Sequence, residues 1–144
     1  MQQADCEFCN IIRGEKPARI VYQSADTTAF FPLKPAALGH TLVVPNDHIP
    51  DIWALAAGSA ESADPLTRAV LRMAEAIRTA LKPDGLNVIN SAGEAASQTV
   101  FHLHIHLVPR WREDHIGNIW PPSEPWSEEV KDDVLVALQE ACSQ

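Results

Sequence analysis

Three imidazoles within five residues, His102-Leu103-His104-Ile105-His106, are the densest concentration of chemistry in this sequence. In an extended strand side chains alternate between faces, so the three rings share one face and Leu103 and Ile105 the other. A half-buried strand that needed only a polar side would be served by Thr, Ser or Lys, without three titratable rings that repel one another on protonation. Convergence of all three rings on one metal is awkward. At a rise of ~3.3 Å per residue the Cα atoms of His102 and His106 lie roughly 13 Å apart, against metal–nitrogen bonds of about 2.0–2.1 Å. Two alternate histidines with a distant ligand could still share an ion. The third possibility is nucleophilic. A neutral imidazole can attack phosphorus to give a covalent phosphoryl-histidine, while its neighbours orient phosphate oxygens or move protons. The middle ring, His104, is the natural attacker because both neighbours can reach its target.

A second cluster is Cys6-x-x-Cys9, with Cys142 alone near the end. Three cysteines this unevenly placed do not make a disulfide framework, so the pair reads as half a metal site or a redox motif. No thioredoxin-like βαβ pattern surrounds it. The N-terminal residues carry no basic region followed by an apolar run, and no apolar stretch approaches the ~20 residues needed to cross a bilayer. These features lead us to expect a cytoplasmic protein. The formal net charge of −8, from 19 acidic residues against 11 Lys and Arg, leaves no electrostatic footprint for a nucleic-acid backbone or an anionic membrane. Phosphate would have to be held by local dipoles, imidazoles or a metal, which suits small nucleotides better than polymers.

The elements that position these groups follow from periodicity. At 144 residues, 46% hydrophobic and 21% charged, the chain is one domain's worth of ordinary globular sequence. Residues 8–13 form a short apolar turn ended by Gly14. Residues 20–23 and 28–31 predict strands around Ser24-Ala25-Asp26, and the β-branched run 41–44 predicts a central strand closed by Pro45. The clearest helix is expected to start at Asp64 as N-cap with Pro65 at the first position. Leu66, Val70, Met73, Ala74, Ile77 and Leu81 then give it one buried face. Residues 87–90 and 101–108 predict two further strands. A last helix is expected to begin between residues 125 and 127, with Val130, Val134, Ala137 and Leu138 as its apolar stripe. Strands in succession around one long helix suggest an antiparallel α+β domain.

The segment from His102 to Val108 resembles the His-φ-His-φ-His-φ-φ signature (φ apolar) of the histidine-triad family. The likeness extends over residues 6–14 and 21–31, Gly39-His40-Thr41-Leu42-Val43-Val44-Pro45, and residues 90–110. It is similar to the branch containing nucleoside phosphoramidases. The resemblance implies a single histidine-triad domain over residues 1–144, with 110–144 as a C-terminal extension bearing a helix. The implied fold is an antiparallel sheet of about five strands with one long helix.

By resemblance, His104 would be the nucleophile at the α-phosphate of a purine nucleotide or nucleoside phosphoramidate, forming a nucleotidyl-histidine that water hydrolyses. His106 would contact phosphate and leaving group, His40 would stand behind the triad, and the Thr99 hydroxyl would meet the leaving group or phosphate. Asn90 matches an amide that holds phosphate or ribose oxygens, and Ser97 and Gln98 match the phosphate loop. Phe8, Ile11, Phe30 and Leu33 match the apolar positions enclosing the base. The resemblance also completes the cysteine pair: His48 and His102 would join Cys6 and Cys9 around a structural zinc ion. It further implies a homodimer with a continuous sheet, and leaves Trp111, Trp120 and Trp126 as candidate substrate contacts. Two positions depart from the pattern. Pro32 stands where relatives carry a ribose-binding Asp or Asn, and Ser97 where they carry Gly. These departures make a low-turnover nucleotide-binding regulator or scaffold the alternative to a nucleotide hydrolase or nucleotidyl transferase.

Overall fold

The computed structural model of the protein describes residues 2–58 and 60–144. In chain order the elements are α1 (Glu7–Ile12), β1 (Ile20–Gln23), β2 (Thr27–Phe30), β3 (Thr41–Pro45), α2 (Ile52–Ala57), α3 (Ala60–Leu81), β4 (Gly85–Ile89), β5 (Ile105–Arg110) and α4 (Glu128–Cys142). The strands make one antiparallel sheet in the order β1-β2-β3-β5-β4. This is the expected α+β architecture. Residues up to Asp114 form one compact unit and His115–Gln144 a second. No helix among the described residues is long and apolar enough to cross a membrane.

Two apolar clusters sandwich the sheet. Leu66, Ala69, Met73 and Ile77 of α3 pack with Ala29, Val43, Leu103 and Leu107 on one face. Phe8 and Ile11 of α1 pack with Phe30, Leu42 and Val44 on the other. Strand β3 is buried along its whole length, which explains why its sequence is a continuous apolar run rather than an alternating one. Its even residues face α1 and its odd ones α3. His40, just before β3, therefore falls on the α1 side.

The long helix starts earlier than its sequence predicts. It begins at Ala60, so Asp64 and Pro65 lie inside it instead of forming its N-terminus. As the sixth residue of the helix, Pro65 removes the N–H that would meet the Glu61 carbonyl and crowds that carbonyl, a cost that the apolar face of the remaining turns offsets. Asp51 caps the short α2 before it, accepting from the Ala54 N–H at 2.8 Å. The last helix, expected to begin between residues 125 and 127, begins at Glu128 with Ser127 as its cap.

The histidine segment departs more. The strand covers Ile105–Arg110 rather than 101–108, so His102, Leu103 and His104 precede the ladder. The Leu103 N–H donates to the Ile49 carbonyl at 2.6 Å, outside the sheet. The pairing register resumes only where Ile105 faces Val43. This short irregular stretch separates the three imidazoles.

Candidate active site

The irregular stretch sends the rings to two places. His102, fully buried, turns toward the cysteine pair, and its ring centroid lies 5.1 Å from that of His48. His104 and His106 stay together with centroids 4.9 Å apart, and His40 reaches His106 from just before β3. The expected common face therefore holds for His104 and His106, while His102 serves another cluster.

Backbone groups fix the tautomers of His40, His104 and His102, and His40 in turn fixes that of His106. The Ala36 N–H donates to His40 Nδ1 at 3.0 Å, so the His40 proton sits on Nε2. That Nε2–H faces His106 Nδ1 at 2.9 Å, which leaves the His106 proton on Nε2. His104 Nδ1 lies 2.7 Å from the His102 carbonyl, which can only accept, so His104 Nε2 carries the bare lone pair. His102 Nε2 lies 2.8 Å from the Pro45 carbonyl, leaving its Nδ1 bare as well. Asn90 Nδ2 donates to the His104 carbonyl at 3.1 Å, tying β4 to the residue that presents the lone pair.

Burial keeps these imidazoles neutral. It lowers His104 and His40 below the usual histidine value. His106 falls to about 4 through desolvation and the neighbouring His104 and His40, and His102 to about 4 chiefly through desolvation. A ring that stays unprotonated at neutral pH is available as a nucleophile or ligand.

Ligand atoms of Cys6, Cys9, His48 and His102 all lie within 4.8 Å of one another. Cys6 Sγ is 3.4 Å from His102 Nδ1, and Cys9 Sγ is 3.5 Å from both His102 Nδ1 and His48 Nδ1. A tetrahedral zinc with ordinary Zn–S and Zn–N bonds sets such atoms ~3.6 Å apart. The donor set fits. Backbone amides support the sulfurs: the Cys9 N–H donates to Cys6 Sγ and the Gln3 N–H to Cys9 Sγ. Burial pushes the Cys9 thiol up, so without a cation it is an inert buried thiol.

Between α1, β2 and the triad lies an apolar cleft lined by Phe8, Ile11, Phe30 and Leu33, with Thr99, His104 and His106 at its polar end. Phe8 joins the two clusters, its ring meeting His104 at 5.1 Å and His102 at 5.9 Å, edge to face. Pro32 is part of the cleft wall. Gln98 is buried, and its amide is committed internally to the Gly93 N–H and the carbonyls of Pro50 and Val100. Ser97 is exposed at a left-handed φ of 71°, the conformation glycine adopts most easily. Trp120 and Trp126 lie in the second unit.

Sequence reasoning missed the groups that set the tautomers. The Ala36 amide and the Pro45 and His102 carbonyls belong to the backbone, and no residue type announces them. It also missed Glu7 and Lys16, which line the cleft.

The HIT domain family model matches residues 13–113. The adenosine 5'-monophosphoramidase hnt1 of Schizosaccharomyces pombe is 32% identical over 127 residues, covering 88% of this chain and 90% of that protein. The crystal structure of a HIT family protein from Bacillus subtilis superposes with a TM-score of 0.84 at 34% identity, covering 94% of this chain and 96% of that one. A Zn-bound histidine triad family protein from Mycobacterium smegmatis superposes with a TM-score of 0.69 at 34% identity, covering 96% of each.

The tautomers are directly observable. Nitrogen-15 spectra of the histidines should show His104 protonated at Nδ1 and His106 at Nε2, with His106 taking up its second proton only near pH 4. Because the unfolded chain binds these protons near 6.5 and the folded chain refuses them, stability should fall as pH drops from about 6.5 toward 4. A His104 carrying its proton on Nε2, or titrating at 6.5 or above, would contradict the geometry.

Proposed function

The chain belongs to the HIT domain family, and from that premise we propose that it is a nucleotide hydrolase or nucleotidyl transferase acting on a nucleoside phosphoramidate or related purine nucleotide. The observation that carries this is the His104 ring, whose Nδ1 is tied to the His102 carbonyl and whose bare Nε2 stands at the polar end of the apolar cleft. In the reaction, His104 Nε2 forms a bond to the α-phosphorus as the bond from phosphorus to the leaving group breaks. His106, made imidazolium by the bound phosphate, gives its Nε2 proton to the departing amine or oxygen and is left neutral. Water then attacks the nucleotidyl-histidine, returns a proton to His106 Nε2 and frees His104. Thr99 supplies a hydroxyl for the phosphate or leaving group, and Asn90 steadies the backbone of His104. The base enters among Phe8, Ile11, Phe30 and Leu33. The similarity to a protein named as a monophosphoramidase supports the nucleotide class.

A structural zinc ion on Cys6, Cys9, His48 and His102 belongs to the same proposal. With all four positions filled by protein, such an ion gives no open site for catalysis. Its contribution is to tie the N-terminal segment to the stretch that presents His104. Thiolate ligands also suit a reducing compartment, the cytoplasm. A homodimer through β4 completes the proposal. Both sheet edges are open and both expose apolar residues, Ile20 and Val21 on β1 and Val88 on β4, but β1 is interrupted by a register shift between Ile20 and Tyr22, whereas β4 runs regularly over five pairs. A regular edge with an exposed apolar residue is the better template for pairing with a second copy.

Three measurements test these points. His104→Ala should lower kcat on an adenosine phosphoramidate by about 10³-fold or more while retaining nucleotide binding; full activity, or an adduct trapped on another residue, would refute the mechanism. Protein purified without chelator should carry one zinc per chain, and Cys6→Ser should lose the metal and lower Tm by roughly 5 °C or more. Absence of metal with an unchanged Tm would dismiss the site. Light scattering should give twice the chain mass, and Val88→Lys should shift it toward the monomer; an unshifted dimer would place the interface elsewhere.

A further inference from the structure

We infer that the Glu7–Lys16 ion pair is what selects the base in the cleft, and that it favours guanine over adenine. The inference rests on the proposal that the cleft is a nucleotide site. Apart from the two triad imidazoles, Glu7 and Lys16 are, among the described residues, the only charge-bearing side chains lining a cleft otherwise walled by residues such as Phe8, Ile11, Phe30 and Leu33. They are joined to each other, Lys16 Nζ donating to Glu7 Oε1 at 2.6 Å. Glu7 opens α1 directly before Phe8, the ring that meets His104. Lys16 directly precedes Pro17, also part of the lining. The side chains are 41% and 39% exposed, and an ion pair this wet contributes little to stability. Fold stability does not account for charges at positions that aliphatic side chains would fill equally well.

What the pair supplies is a donor and an acceptor side by side at the wall of a slot suited to a flat ring. The ammonium has protons left after meeting Glu7, and the carboxylate has a second oxygen and further lone pairs. A guanine presents a complementary edge: O6 accepts, while the adjacent N1–H and N2–H donate. The carboxylate can take both N–H groups in parallel and the ammonium can meet O6, all of them charge-assisted bonds. In the same pose adenine puts its N6 amino donor where guanine has O6 and its N1 lone pair where guanine has a proton, so the ammonium meets a donor, the carboxylate meets a lone pair, and C2–H replaces the second N–H. Sites built to hydrogen-bond a particular edge discriminate strongly against a base that leaves those groups unmatched. Partial exposure to water moderates the effect here.

The test uses the full chain and two independent readouts. One is the Kd for GMP and AMP by calorimetry; the other is kcat/KM on guanosine and adenosine phosphoramidates. Both should favour guanine by about tenfold or more. Glu7→Gln should bring the ratio close to one, because the neutral amide no longer accepts two N–H bonds. The exchanged pair Glu7→Lys with Lys16→Glu keeps an ion pair and the melting temperature but transposes donor and acceptor, and it should also lose the guanine preference. Equal use of the two bases by the parent protein, or a preference that survives both variants, would overturn the inference and leave the hydrolase standing. Selective, Glu7-dependent binding of GMP without any turnover would support the inference and remove the hydrolase instead. No binding of either nucleotide would remove both.

Discussion

The site depends on one constraint: backbone groups commit one nitrogen of each key imidazole. The Ala36 amide commits His40 Nδ1, the His102 carbonyl commits His104 Nδ1, and the Pro45 carbonyl commits His102 Nε2. Each choice dictates which nitrogen is left for chemistry. The result is a lone pair at His104 Nε2, a proton at His106 Nε2 and a lone pair at His102 Nδ1 beside two sulfurs. Rotating any of these rings, or sliding β5 one residue along β3, would exchange donors for acceptors throughout the site. The irregular stretch at residues 102–104 is therefore not a defect in the strand. It frees the two carbonyl-facing imidazoles from a common face and lets one segment serve a metal-ligand cluster and a nucleophile at once.

Phe8 makes the two clusters mechanically continuous. Its ring packs edge-on against His102, His104 and Phe30, and it lies in α1 between Cys6 and Cys9. Anything that anchors the cysteine pair also fixes the wall of the cleft and the ring behind the nucleophile. Seating α1 by its apolar side alone, through Phe8 and Ile11, would give six residues little hold. The sulfur–imidazole contacts add a second attachment at its N-terminus.

Much of this was legible in the residues. The β-branched run at 41–44, the helical spacing through Leu66, Met73 and Ile77, and the apolar stripe of the last helix each encode a local structure that packing does not overrule. The Cys6-x-x-Cys9 pair and the His104–His106 alternation likewise carried their chemistry openly. What failed has a common cause. Asp64-Pro65 looks like a helix start because both residues favour one, but the good helix formers Ala60 and Glu61 before them extend the helix through that point. The strand predicted over 101–108 assumed that ladder bonds were the only use for the backbone there. The Leu103 N–H and the His102 carbonyl go instead to Ile49 and His104. Long-range backbone bonds of this kind leave no trace in residue type or spacing.

The departures from the family pattern also have physical accounts. Ser97 holds a left-handed conformation that costs a residue with a Cβ about 1–2 kcal/mol. The loop keeps its shape because Gln98 closes it against Gly93, Pro50 and Val100 and thereby delivers Thr99 to the cleft. Proline at position 32 removes a carboxylate from the mouth of a protein already at −8, easing the approach of an anion. The same electrostatics bears on the acid in the proposed reaction. In the empty cleft burial and its neighbours hold His106 at about 4, too low to carry an extra proton at neutral pH. A bound phosphate is an opposite charge at contact distance, which favours the imidazolium and raises that value. The substrate would thus create the proton source its leaving group needs, while His104, whose Nδ1–H stays on the His102 carbonyl, keeps its lone pair for phosphorus.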